Sequence, residues 1–139
     1  MQFKSDRLII SSWEAQHAAA FFELSQDAGF NLFPITIYRQ ANLESAREWI
    51  MNSKTKWGVW EKQTGALLGI GGLTPWQLGE EELVDMTYRL RESAWGKGYG
   101  LELAQTLVKY GFAQMGLQQI TATITPDNVA SKKIAAKIG

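Results

Sequence analysis

Three glycines at alternate positions, Gly96, Gly98 and Gly100, stand between a strand-like segment ending near Leu90 and a strongly helical run from Leu101 to Met115. Backbone without a Cβ turns tightly and can bring successive N–H groups against a ligand. The helix that follows sets its positive end at the same place. That combination describes an anion site, most often a phosphate site. The turn itself reads Trp95-Gly96-Lys97-Gly98-Tyr99-Gly100, so it also carries an ammonium group. On the strand before it, Leu83, Asp85, Thr87 and Arg89 share one face, and that face is unusually polar for a central strand. It meets solvent or lines a cleft.

The elements that must hold this turn can be read in order. Arg7 to Ser12 is a short first strand rich in β-branched residues. Trp13 to Gln26 reads as a helix with Ala18, Phe21, Phe22 and Leu24 on its apolar stripe, stopped by Asp27-Ala28-Gly29. Phe30 to Ile35 is aromatic and irregular, a loop packed over the core or over a cleft. Asn42 is the expected N-cap of a helix from Leu43 to Asn52. Trp57 to Glu61 and Leu67 to Leu73 form a hairpin around Lys62-Gln63-Thr64-Gly65. Glycines 69, 71 and 72 in its second strand predict a bulge or a close neighbour. Leu78 to Glu82 is a polar turn, and alternation from Leu83 to Leu90 gives the next strand. In the long helix, Leu101, Ala104, Val108, Gly111, Phe112 and Met115 are the predicted buried stripe, with Gly116 ending it. Ile120 to Thr125 is a strand, and Pro126-Asp127-Asn128 opens a last helix.

The order β-α-α-β-β-β-α-β-α describes one α/β domain over residues 1–139, its mixed sheet flanked by helices. Strand, glycine turn, helix and strand from Leu83 to Thr125 form a crossover that favours parallel pairing.

Composition bounds the chemistry. With 45% apolar and 20% charged residues in 139, the chain has the make-up of a single globular domain. Fourteen basic residues balance fourteen acidic ones, so no overall field draws nucleic acid or an acidic membrane. There is no cysteine, which removes disulfides, thiolate metal sites and a cysteine nucleophile. One histidine, His17, cannot build a histidine metal cluster, so no metal is expected. No apolar run approaches the roughly 18 residues of a membrane span, and the expected location is cytoplasmic.

Three phosphate-binding patterns compete at the glycine turn. A P-loop requires Lys followed by Ser or Thr after its last glycine, whereas Lys97 lies between glycines. The dinucleotide fingerprint requires a third glycine that Gly98-Tyr99-Gly100-Leu101-Glu102-Leu103 lacks. The third pattern fits: Trp95 to Gly100 resembles the acetyl-coenzyme A pyrophosphate loop of the GNAT superfamily of N-acetyltransferases, Gln/Arg-x-x-Gly-x-Gly/Ala, with Trp95 in place of the usual Gln or Arg. Within Trp-Gly-Lys-Gly-Tyr, that substitution is similar to the ribosomal-protein N-terminal acetyltransferases, the Rim type. Asp6 to Ile10, the hairpin around Gly65, and Pro126 to Ser131 resemble further pieces of the same family, so the likeness covers nearly the whole chain.

The resemblance implies a GNAT acyl-CoA N-acyltransferase fold with a central, mostly antiparallel sheet, short of the final C-terminal hairpin. It implies acetyl-CoA as cosubstrate, its pyrophosphate held by N–H groups from Gly96 to Leu101, including those of Lys97, Gly98, Tyr99 and Gly100. Main-chain groups of Tyr88, Arg89 and Leu90 would meet the pantetheine arm, and Asn128 and Ser131 match positions near that arm or its sulfur. The implied reaction is direct attack by an amine on the thioester in a ternary complex. Asp85 matches an acidic position of the family and would be the base; as an alternative it pairs with Arg89 on the same face. Ser131 or a water would assist the leaving thiolate, because Ala135 stands where many relatives carry a tyrosine. The short C-terminus and Ala135 leave a second reading open, a catalytically weak acyl-CoA-binding or dimerising module. A homodimer through the open sheet edge is expected in either case.

Overall fold

The computed structural model describes residues 1–31, 38–117 and 119–122. Its strands are β1 (Gln2–Lys4), β2 (Leu8–Ser11), β3 (Lys56–Glu61), β4 (Leu67–Leu78), β5 (Glu81–Leu90) and β6 (Thr121–Ala122). Its helices are α1 (Ala18–Ser25), α2 (Leu43–Asn52) and α3 (Tyr99–Gln114), with single 3-10 turns at Ala15–His17 and Glu92–Ala94. Among the described residues the strands lie in one sheet in chain order. β1 to β5 are antiparallel neighbours, and β6 pairs parallel to β5 at Asp85 with Thr121 and Met86 with Ala122. The crossover read from residues 83–125 is therefore present, and α3 is its helix. The predicted last helix lies outside the described residues, as does the predicted strand beyond Ala122.

Each face of the sheet buries its own cluster. Leu8, Ile10, Val59, Leu68, Leu73, Met86 and Leu90 pack beneath Leu103, Ala104 and Leu107 of α3. On the opposite face Leu67 and Ile70 meet Phe21 and Leu24 of α1, Ala46 and Ile50 of α2, and Phe30 and Tyr38. The glycine turn thus sits at the rim of a two-sided core, where the helix on one face starts.

Local rules account for most boundaries. Asn42 caps α2 as expected, its Oδ1 accepting from the Ser45 N–H at 2.8 Å while the Asn42 N–H reaches Ser45 Oγ. The predicted irregularity of β4 is a register shift opposite Val59 and Trp60. Its glycines also admit neighbouring backbone: a Cβ at Gly69 would lie 2.0 Å from the Arg89 carbonyl oxygen. The hairpin between β4 and β5 turns at Gly79-Glu80, so both strands reach farther than the polar turn predicted from Leu78 to Glu82.

Two expectations need correction, and one strand had no reading at all. α1 begins at Ala18 and not at Trp13, because Trp13 leaves the helix axis to pack on Phe21 and Trp60 and to donate its Nε1–H to the Lys56 carbonyl at 3.0 Å. β1 was not legible, since Phe3 between Gln2 and Lys4 is too short an alternation; its ring stacks on Tyr110 at 4.1 Å. The buried stripe of α3 is Tyr99, Leu103, Ala104, Leu107 and Gly111. Leu103 and Leu107 are 0% exposed, while Phe112 and Met115 are 44% and 41% exposed. Ala104 and Gly111 stand on the buried stripe as expected and Val108 packs against its edge, but Phe112 and Met115 do not, because both faces of this helix carry apolar residues at helical spacing.

Candidate active site

The turn after β5 is built from two left-handed residues. Gly96 has φ 74° and Gly98 has φ 81°, a region that a Cβ strongly disfavours, and Gly98 is the N-cap of α3. A glycine cap supplies no side-chain acceptor, so the first N–H groups of α3 stay open. Among the described residues, none of the N–H groups from Gly96 through Leu101 donates to a protein acceptor; Glu102 is the first to do so, to the Gly98 carbonyl at 3.1 Å. A Cβ at Gly96 would meet nothing within 4 Å, so open space adjoins the turn. Lys97 is exposed within it.

Residues distant in sequence hold the outer side of this turn. Arg7, just before β2, donates through Nη1 to the Lys97 carbonyl at 2.9 Å and through Nε to Glu102 Oε1 at 2.7 Å. Its own backbone N–H reaches Glu102 Oε2 at 2.9 Å, where Ser5 Oγ also donates. The guanidinium lies over the Tyr99 ring, 4.2 Å from its centre, and the Tyr99 hydroxyl donates to Glu61 Oε2 at 2.7 Å. Burial works against ionisation of Glu102, but the hydrogen bonds from Ser5 and Arg7 outweigh it and hold the carboxyl below its usual range. The hydrogen bond to Glu102 raises Arg7 in turn. The Tyr99 hydroxyl likewise lowers Glu61.

The approach to the turn is pinned as well. The Trp95 Nε1–H donates to the Leu90 carbonyl at 3.0 Å, closing the loop back on the end of β5. Trp95 thus anchors the loop through its indole at the position where the pattern named above carries Gln or Arg. One carboxylate oxygen of Asp27 accepts from the N–H groups of both Phe30 and Glu92, at 2.8 and 2.9 Å, tying the turn after α1 to the same loop.

On β5, Asp85 and Arg89 fall on the face that looks toward Phe30 and Tyr38. Asp85 is half-buried and its Oδ1 accepts from Thr121 Oγ1 at 3.2 Å. Arg89 donates through Nη1 to the Phe30 carbonyl at 3.1 Å and stands 5.0 Å from the Tyr38 ring centre. Burial lowers Arg89 from its ordinary value. Burial raises the Tyr38 phenol, with Asp85 adding to that shift and Arg89 opposing it. The polar face read from the sequence is thus a half-buried charged cluster under an aromatic lid. Tyr88 faces the opposite way, against the α3-side core.

Tyr88, Arg89 and Leu90 close β5, and Trp95 to Leu101 form the turn and the start of α3, so the described parts of the predicted site lie on consecutive elements. Asn128, Ser131 and Ala135 lie outside the described residues. Sequence reading missed Arg7, Glu102 and Tyr38. Arg7 and Glu102 stand 95 positions apart and leave no local pattern; Tyr38 adjoins an irregular segment without periodicity. Among the described residues no group of His, Asp and Glu converges to hold a metal, and no helix is long and apolar enough to cross a membrane.

Among the described residues, then, a sheet of five antiparallel strands with a sixth added in parallel is crossed by a helix whose glycine-capped start offers a row of N–H groups, the arrangement of an α/β domain with an anion site at a helix start. Residues 7–139 match the family model described as an acetyltransferase (GNAT) domain, and the chain belongs to that family. It is similar to YkkB of Bacillus subtilis, 30% identical over 97% of this chain and 82% of the relative. It is also similar in structure to a GNAT-family acetyltransferase from Bacillus anthracis, with a TM-score of 0.85 and 26% identity over 100% of this chain and 82% of the other. RimL, a ribosomal L7/L12 α-N-protein acetyltransferase solved in complex with coenzyme A, shares the fold at TM-score 0.78 and 15% identity, over 99% of this chain and 82% of its own. The protein is an acetyl-CoA-dependent N-acetyltransferase.

Proposed function

We propose that the chain moves the acetyl group of acetyl-CoA to a primary amine, a protein N-terminus or a small amine, in the manner of the Rim-type enzymes. The run of N–H groups from Gly96 through Leu101, without a protein acceptor among the described residues, carries the donor half of this reading. Those groups, with the Lys97 ammonium beside them, hold the pyrophosphate; a row of donors at a helix start is complementary to a doubly charged, multi-oxygen anion. Main-chain groups of Tyr88, Arg89 and Leu90 receive the pantetheine arm along β5, and Asn128 and Ser131 match family positions that contact that arm or lie near its sulfur.

In the reaction the acceptor nitrogen attacks the thioester carbonyl carbon, the C–S bond breaks, and the thiolate leaves. The amine must arrive neutral and must lose a further proton after attack. An α-amino group, with a pKa of about 7.7 to 8.0, is about a quarter to two-fifths neutral near pH 7.5, whereas a lysine at about 10.4 is neutral in only about one molecule per thousand. Asp85, half-buried on the face beneath Tyr38, takes the proton, and Ser131 assists the thiolate. The N-terminal amine is favoured as acceptor because it asks least of that base. The active species is a homodimer associated through the open sheet edge at the strand read from residues 120–125.

Equilibrium titration with acetyl-CoA, followed by thiol release against a panel of N-terminal peptides, free lysine and small amines, tests the reading. Micromolar binding with turnover on at least one class is expected. Binding without turnover on any acceptor would favour a binding module, and absence of binding would sink the donor assignment.

A further inference from the structure

We infer that Arg7 is a positioning residue for the pyrophosphate turn, acting from the segment just before β2 on a loop some 90 positions away. The inference rests on the proposed cofactor reading of that turn and adds to it the group that fixes its shape. Three contacts converge on one guanidinium: the Lys97 carbonyl, the Glu102 carboxylate and the Tyr99 ring. Lys97 is the residue between the two left-handed glycines, so holding its carbonyl outward fixes the peptide plane whose other side presents the Gly98 N–H. Glycines at both flanks leave the turn many other conformations, and a planar fork of donors selects one of them.

The same guanidinium solves an electrostatic conflict. Glu102 lies in the first turn of α3, close to the N–H groups that would receive a diphosphate, and a bare carboxylate there would repel it. Arg7 and Ser5 engage both of its oxygens, so the negative charge is compensated on the side of the turn away from the N–H row. Arg7 therefore serves the anion twice, through backbone shape and through neutralisation, without being required to touch it.

The test compares acetyl-CoA with S-acetylpantetheine, which carries the thioester but no pyrophosphate. In Arg7→Met the ratio of kcat/KM for acetyl-CoA over that for S-acetylpantetheine should fall about tenfold or more, through KM for acetyl-CoA and not through kcat. 3′-Dephospho-acetyl-CoA should suffer the same fall, which assigns the effect to the pyrophosphate. Arg7→Lys keeps the charge but loses the fork, and should recover only part of the loss. Adding Glu102→Gln to Arg7→Met should recover part of it as well, by removing the uncompensated carboxylate. An unchanged ratio in both Arg7 variants, with wild-type protein binding acetyl-CoA normally, would overturn the inference while leaving the cofactor reading intact. Wild-type protein that fails to bind acetyl-CoA would overturn both.

Discussion

At the scale of single residues, the site separates into positions where a side chain is forbidden and positions where one is required. Gly98 belongs to the first kind: its φ of 81° and the Arg7 nitrogen 3.3 Å from where a Cβ would sit leave little room for substitution. Gly98→Asp should lower acetyl-CoA affinity on the order of 100-fold, through a strained left-handed residue and a carboxylate that competes for Arg7 and adds negative charge at the turn. Calorimetry on a variant with an unaltered circular dichroism spectrum checks this, and retained affinity would remove the turn from the site. Asp85 belongs to the second kind. Asp85→Asn should lower kcat by about 100-fold for a lysine-like amine and by less for an α-amino peptide near pH 8, since the lysine-like amine needs a base for the proton it arrives with as well as for the one released after attack. Equal losses on both acceptors would argue for a role in binding instead.

The elements answer a different question, what keeps the turn at the edge of the core. Leu103 and Leu107 fill the space between α3 and the sheet, and Gly71 lies directly beneath them. Leu107→Ala should cost roughly 3 kcal/mol in denaturant unfolding, the usual range for a fully buried leucine that leaves a cavity. The tie between α3 and the segment before β2 is ionic and carries a pH signature. Glu102 has a folded-state pKa below its unfolded one, so its contribution is fully present above the unfolded value, about 4.3, and is lost as pH falls through the folded value. Wild type should therefore exceed Glu102→Gln in thermal midpoint at pH 7, and the gap should close below about pH 4. A gap that persisted into acid would mean the carboxylate contributes by shape alone.

For the molecule as a whole, the proposed homodimer predicts a light-scattering mass near twice 15.6 kDa, and a strict monomer would count against it. What could be read beforehand follows from how far each feature reaches along the chain. The Asn42 cap, the Gly65 turn, the glycine turn and the β5-α3-β6 crossover are written in neighbouring residues, and each stands where the pattern places it. The face of α3 was partly misjudged because Leu101, Val108, Phe112 and Met115 form a second apolar stripe that a one-dimensional period cannot rank against the first. β1 depends on a single phenylalanine finding Tyr110. Arg7 with Glu102, and Tyr38 with Arg89, are matched across distant segments, and pairing of that kind has no signature in a lone sequence.

The link from Arg7 to the glycine turn also bears on when the protein becomes able to bind its donor. β3, β4 and β5 are joined by tight hairpins and can assemble through local contacts, whereas the bridge from Arg7 to Lys97 closes a loop of some 90 residues. Folding should therefore produce the sheet before it shapes the turn, and binding competence should lag behind secondary structure. For the same reason the handling of the amino terminus matters: a bulky tag or protease trimming that displaces Ser5 and Arg7 would leave a folded domain with a slack donor site.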